Sequence, residues 1–233
     1  MNQNEQIRKL IDANAETPSV YSDDGIRDAC MDYTECLQFP INDDDIKIGL
    51  ERVYEYLGTS GSQIDFNGRY GMETLSCIVT NSVNGKIAKF VNENITVSCF
   101  DNDYYCFRAS RIVNVEKNQK DKIQYFFGDI SQFFTSPFNS TFSADFVVTC
   151  PSQSNECYKD LDCEMKYKQM NPYEYYTKRS IEFLRKDGVC MSVVPTEMEN
   201  FVVKQLLSYD KPVAILNSLH FTGGYSFIFI KKL

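Results

Sequence analysis

From residue 75 onward the apolar residues arrive in short, nearly continuous runs. They read LSCIVT (75–80), ITVSCFD (95–101), IQYFFGD (123–129), ADFVVTC (144–150), GVCMSVVP (188–195), PVAILNS (212–218) and GYSFIFIKK (224–232). Each has the length of a strand, is rich in β-branched or aromatic residues, and is bounded by polar or glycine-bearing segments. Between them lie stretches with helical spacing: NGKIAKFVNEN (84–94), YYCFRASRIVNV (104–115), PYEYYTKRSIEFLRKDG (172–188, closed by Gly188) and NFVVKQLLSY (200–209). Strands apolar on both faces that alternate with helices predict an α/β fold whose sheet is covered on both sides and is mostly parallel. The last two strands have only a short connection, which predicts that they pair antiparallel.

The first third reads differently. NEQIRKLIDAN (4–14) predicts a short helix with Ile7, Leu10 and Ile11 on one face, and a break follows at Glu16-Thr17-Pro18. A second helix is predicted over 23–37, with Ser22 or Asp23 as N-cap and Ile26, Ala29, Cys30 and Tyr33 inward. INDDDIKIGLERVYEYLG (41–58) has the clearest helical pattern. Asn42 or Asp43 caps it, Ile46, Leu50, Val53 and Leu57 recur at helical spacing, and Gly58 ends it. The expected organisation is an N-terminal helical extension (1–62) followed by an α/β domain (63–233), joined by the loop GTSGSQ.

Composition narrows the function. The net charge is −8, with Asp23, Asp24, Asp43, Asp44 and Asp45 early in the chain. Phosphate-driven nucleic-acid binding calls for a positive surface, so strong independent DNA binding is not expected. Lysines and arginines do gather at Lys117, Lys120 and Lys122, and again at Lys166, Lys168, Lys178, Arg179, Arg185 and Lys186, which leaves room for a local basic rim. Nine scattered cysteines do not form a disulfide framework. Cys150, Cys157 and Cys163 are too irregularly spaced for a zinc motif, so reduced thiols acting as small hydrophobes and no bound metal are expected. The single histidine, His220, would have to carry any Ser-His or Cys-His catalysis, and nothing in the sequence marks a nucleophile for it. No apolar run reaches the roughly 18 to 20 residues of a membrane span, and MNQNEQIRKL lacks a signal-peptide core, so a cytoplasmic location without membrane contact is expected.

The order of landmarks resembles a known family. A strand, a glycine-bearing turn and a helix come first, then a strand ending in Asp101, then Gly-Asp after a third strand. DFVVTCPSQ (145–153), a tyrosine-rich helix, Lys-Asp-Gly and a strand ending in Val194-Pro195-Thr196 follow. Over residues 75–233 this is similar to the class I S-adenosylmethionine-dependent methyltransferases, and specifically to the amino-methylating N6-adenine type. The resemblance implies a Rossmann-like methyltransferase fold, with a mostly parallel seven-stranded sheet and an antiparallel last strand, after an N-terminal helical extension. It also implies S-adenosylmethionine as cofactor. By resemblance, Gly85 takes the last glycine of the cofactor loop, Asp101 the acid that binds the ribose hydroxyls, and Asp129 the acid that contacts the adenine amino group.

The chemistry-bearing motifs depart from the family pattern. Where its cofactor loop reads close to Asp-Pro-x-x-Gly-x-Gly, this chain places Val79 at the acid and Val83 at the first glycine, and β-branched valine disfavours the backbone such a loop needs. Where its catalytic loop reads Asn-Pro-Pro-Tyr or Phe, this chain has Cys150, Pro151, Ser152 and Gln153. A thiol offers no carboxamide oxygen to the target amine, and glutamine has no ring to stack on a flipped-out base. Loss at both motifs leads to the expectation of a degenerate N6-adenine methyltransferase-like protein without amine-methylating activity. Its expected role is that of a binding or partner subunit beside an active methyltransferase or modification enzyme, with at most weak contact to nucleic acid. Two alternatives are an active methyltransferase for DNA, RNA or protein with an unusual catalytic loop, and an acidic decoy of a modification or restriction enzyme.

Overall fold

The computed structural model describes residues 41–58, 75–80, 95–101, 123–127, 130–131, 143–151, 157–160 and 164–233. The helices expected over 4–14, 23–37, 84–94 and 104–115 lie outside them, as do Thr17-Pro18 and Lys117, Lys120 and Lys122. Seven strands form one sheet: β1 (Leu75–Thr80), β2 (Ile95–Asp101), β3 (Ile123–Phe127), β4 (Ala144–Thr149), β5 (Leu184–Pro195), β6 (Val213–His220) and β7 (Tyr225–Lys232). Their order is β3-β2-β1-β4-β5-β7-β6. The first five are parallel to one another, and β7 is antiparallel to both β5 and β6. The sheet is therefore mixed: β6 and β7 form the antiparallel hairpin anticipated from the sequence, and β7 also pairs antiparallel with β5.

Helix α1 (Asp43–Leu57) covers one face. Asn42 caps it by accepting from Asp45 N at 2.8 Å, and Gly58 closes it with φ +78°, a left-handed conformation that glycine adopts without strain. Three acids in its first turn complement the helix dipole. Its apolar stripe, Ile46, Leu50, Val53, Tyr54 and Leu57, is buried against Phe146, Val148, Met191, Val193, Phe227 and Phe229 of the central strands. Burying each such side chain contributes about 1.5–3 kcal/mol. Gly49 permits the close fit, since a Cβ there would lie 2.7 Å from Met191 Sδ and 2.8 Å from the Phe227 ring. This helix, part of the N-terminal extension in the sequence reading, is thus a layer of the sheet's core.

Three helices follow β4: a single turn α2 (Met165–Lys168), α3 (Pro172–Glu182) and α4 (Thr196–Leu207). On the second face Ala144, Val147, Cys190, Val194, Ile228 and Ile230 pack with Tyr173, Tyr175, Tyr176, Ile181, Val202 and Leu206. The helix expected to run to Gly188 ends instead at Glu182, and β5 begins at Leu184. The cause is backbone proximity. Leu184 pairs with Ala144 and Val189 with Phe146 across an irregular register, and a Cβ on Gly188 would meet the Asp145 carbonyl at 2.8 Å. Asp187, at φ +65°, turns the chain through this irregularity.

Candidate functional site

Strand order reverses between β1 and β4. From β1 the chain moves outward through β2 and β3, then returns to lay β4 on the other side of β1. In open parallel sheets the crevice beyond the carboxyl ends of strands at such a reversal is where ligands bind. Thr80 of β1 is in register with Phe100 of β2 and with Thr149 of β4. Asp101 and Cys150 each lie one residue further, at the same edge and about 10 Å apart across two strand spacings. The structure therefore brings together three of the residues singled out in the sequence: Asp101 as the last residue of β2, and Cys150-Pro151 directly after β4. Gly85, Asp129, Ser152 and Gln153 lie outside the described residues.

Cys150 is fully buried, and strand alternation decides where its side chain goes. Phe146, Val148 and Cys150 share one parity and all belong to the apolar cluster beneath α1. Burial pushes the thiol up to about 12, so it stays protonated at neutral pH. Pro151 is buried as well. The loop's first position therefore packs as a small hydrophobe.

The opposite face of the same edge carries hydroxyls that the sequence reading passed over. Thr149 is in register with Ser192 of β5, and Ser192 Oγ lies 2.7 Å from Thr177 Oγ1 of α3; all three residues are fully buried. For Thr149 and Ser192 the signal was available, because each is an isolated polar residue in an otherwise apolar run; Thr177, within YEYYTKRS, gave none. The tyrosines of α3 that could have offered a stacking ring are core residues: Tyr175 and Tyr176 are at most 1 % exposed and meet edge to face, with centroids 5.1 Å apart.

His220 ends β6 at this edge. Its Nδ1 lies 3.1 Å from Glu199 Oε2 and 3.2 Å from Ser226 Oγ, and Ser226 in turn donates to Thr196 Oγ1 at 3.1 Å. Serine and carboxylate thus approach the same ring nitrogen, whereas a Ser-His-acid relay needs one on each. Ser226 is also fully buried. The cluster fastens the β6–β7 turn to the start of α4, and Thr196 N donating to Gly224 O at 3.0 Å adds to it. Tyr225, whose hydroxyl donates to Asp45, ties the start of α1 to the same corner.

Several cations of the second basic cluster are paired with acids. Lys178 pairs with Glu174 at 2.7 Å in a buried i,i+4 contact, Arg179 with Glu182, and Arg185 at the start of β5 with Asp145 at the start of β4. Glu182 also receives Lys211 at 3.1 Å, and Lys232 donates to the backbone carbonyls of Glu182 and Leu184. The Arg185–Asp145 pair lies at the amino ends of β4 and β5, away from the crevice. Among the described residues no group of three metal-ligating side chains occurs, and no helix is long and apolar enough to cross a membrane.

No family model matches the chain, and no curated protein does. Solved structures do share its fold. The O-methyltransferase from Bacillus cereus in complex with SAH aligns with a TM-score of 0.59 at 10 % identity, over 98 % of this chain and 99 % of that one. A putative class I S-adenosylmethionine-dependent methyltransferase from Listeria monocytogenes gives 0.58 at 12 % identity, over 100 % of this chain and 70 % of that one. TrmN from Thermus thermophilus gives 0.57 at 10 % identity over 86 % of this chain, which spans about half (51 %) of TrmN's length. At these identities the likeness speaks for architecture alone. The chain has the Rossmann-like α/β fold of the class I S-adenosylmethionine-dependent methyltransferases.

Proposed function

We propose that this protein is a methyltransferase-like protein that no longer methylates adenine N6 and acts as a binding or partner subunit. The carrying observation is Cys150. N6 methylation requires an acceptor for the hydrogens of the exocyclic amine, so that the nitrogen lone pair is aimed at the methyl sulfonium. The residue at that position here has no carboxamide, and its side chain is buried beneath α1 with Phe146 and Val148. The acidic balance of the chain, together with the pairing of Lys178, Arg179 and Arg185 with Glu174, Glu182 and Asp145, favours a protein partner over bare nucleic acid.

A second reading rests on Asp101. As the last residue of β2 beside the strand-order reversal, it falls at the position that the family resemblance gives to the acid binding the ribose hydroxyls, and this supports S-adenosylmethionine as cofactor. The cofactor would supply an electrophilic methyl group, and the chain would methylate an acceptor other than adenine N6. The two readings separate in one experiment: incubation with methyl-labelled S-adenosylmethionine and, in turn, DNA, RNA and protein extract. The first predicts no transfer to any acceptor. Transfer that disappears in Asp101→Ala would establish the second and overturn the first. Titration calorimetry with the cofactor reports separately whether the pocket binds it.

A further inference from the structure

His220 is the only histidine of the chain, and it ends β6. Its side chain is 61 % exposed, while that of Glu199 is 13 % exposed and Ser226 is fully buried. The hydrogen bonds behind the ring settle which nitrogen carries its proton. A hydroxyl has one hydrogen, and that of Ser226 goes to Thr196 Oγ1 at 3.1 Å. Ser226 Oγ is therefore an acceptor toward His220 Nδ1, 3.2 Å away. A carboxylate oxygen, Glu199 Oε2, stands 3.1 Å from the same nitrogen and has no hydrogen to give. Nδ1 thus holds the hydrogen of the neutral ring, and Nε2 keeps the lone pair on the exposed side. Among the described residues no hydrogen bond reaches Nε2.

We propose that His220 Nε2 is a nucleophile that accepts acyl groups from uncharged activated esters. The Nε2 lone pair forms a bond to the acyl carbon, and the bond from that carbon to the leaving alkoxide breaks. The ring becomes a cationic acyl-imidazolium, which the Glu199 carboxylate at 3.1 Å from Nδ1 stabilises. Water then adds to the acyl carbon, the carbon–nitrogen bond breaks, and a carboxylic acid leaves the regenerated ring. Ser226 is excluded as the nucleophile because it is buried and lies on the Nδ1 side. The first turn of α4 carries two acids, Glu197 and Glu199, which disfavour anionic phosphoryl donors and leave neutral acyl donors as the fitting class. His220 is in register with Ser226, and Ser226 with Val194 of β5. Three strand spacings, about 14 Å, separate β6 from β4, so the activity does not depend on what the crevice binds.

The test is hydrolysis of excess p-nitrophenyl acetate by the full chain. Thiols and lysines take one acetyl group each and stop, because thioesters and amides hydrolyse slowly, whereas an acetyl-imidazole turns over. The expected result is a steady release of p-nitrophenol that disappears in His220→Gln. Glu199→Gln should slow it by about tenfold through loss of the counter-charge, and Ser226→Ala should keep it within about twofold. Circular dichroism checks that each variant keeps the parent fold. Nitrogen NMR of the parent chain labelled at its one histidine needs no variant, and should show the neutral ring protonated on Nδ1. A neutral ring protonated on Nε2 overturns the proposal. So does steady release that His220→Gln leaves unchanged, or that Ser226→Ala abolishes as fully as His220→Gln, which would make the serine the nucleophile.

Discussion

Restoring the asparagine of the amine-methylating loop, Cys150→Asn, should damage the protein without giving it chemistry. The thiol occupies a fully buried site among apolar side chains below α1. A carboxamide placed there without partners loses its hydration, which costs about 1–3 kcal/mol in proteins. Its extra volume must be accommodated in a packed layer for about 1–3 kcal/mol more. The variant should therefore lose roughly 2–6 kcal/mol, a large part of the stability of a typical domain. In urea this lowers the midpoint by about 1–2 M with little change in slope. Cys150→Val, similar in size and apolar, should stay within about 1 kcal/mol of the parent. An asparagine variant as stable as the parent would show that the side chain reaches the crevice. If it also transferred a methyl group to adenine, the reasoning about this loop would be refuted.

Further outcomes follow from the packing. Gly49→Ala gains about 1 kcal/mol of helix propensity but drives a methyl group into Met191 and Phe227, so chemical denaturation should show a net loss of about 1–2 kcal/mol. Ser180→Ala should raise stability by about 1 kcal/mol, because the buried Ser180 hydroxyl has no hydrogen-bond partner among the described residues; a drop in the urea midpoint would contradict this. Burial raises the thiols of both Cys150 and Cys190 above their ordinary value of 9.0. Above that pH the unfolded chain releases protons that the native state retains, so stability present below about pH 9 should decline as pH rises, by about 1.4 kcal/mol for each thiol between pH 8 and 10. Urea midpoints measured from pH 8 to 10 check the slope, and Cys150→Val should remove its share.

Much of the architecture was readable in the chain because the core strands are buried on both faces. The runs 75–80 and 95–101 are β1 and β2 residue for residue, and the alternation of strands and helices carried the parallel topology. Asn42 and Gly58 marked the ends of α1 through their capping chemistry. The end of α3 was not readable, since LRKDG has helical propensity and only the approach of Gly188 to the Asp145 carbonyl draws it into β5. Helical spacing already offered the pairs Glu174–Lys178 and Arg179–Glu182, but the Arg185–Asp145 pair, forty residues apart, forms only by folding. Of the candidate site, the strand ends at Asp101 and Cys150 followed from where the apolar runs stop. The side to which Cys150 turns was implicit in its shared parity with Phe146 and Val148. The His220–Glu199–Ser226 corner joins three elements and left no local trace.

The most direct test of the central claim is to incubate the protein with methyl-labelled S-adenosylmethionine and adenine-containing DNA, digest the DNA, and resolve the nucleosides. A chain whose acceptor position is a buried thiol should leave N6 of adenine unlabelled. Labelled N6-methyladenine, absent when the protein is omitted, would contradict the account.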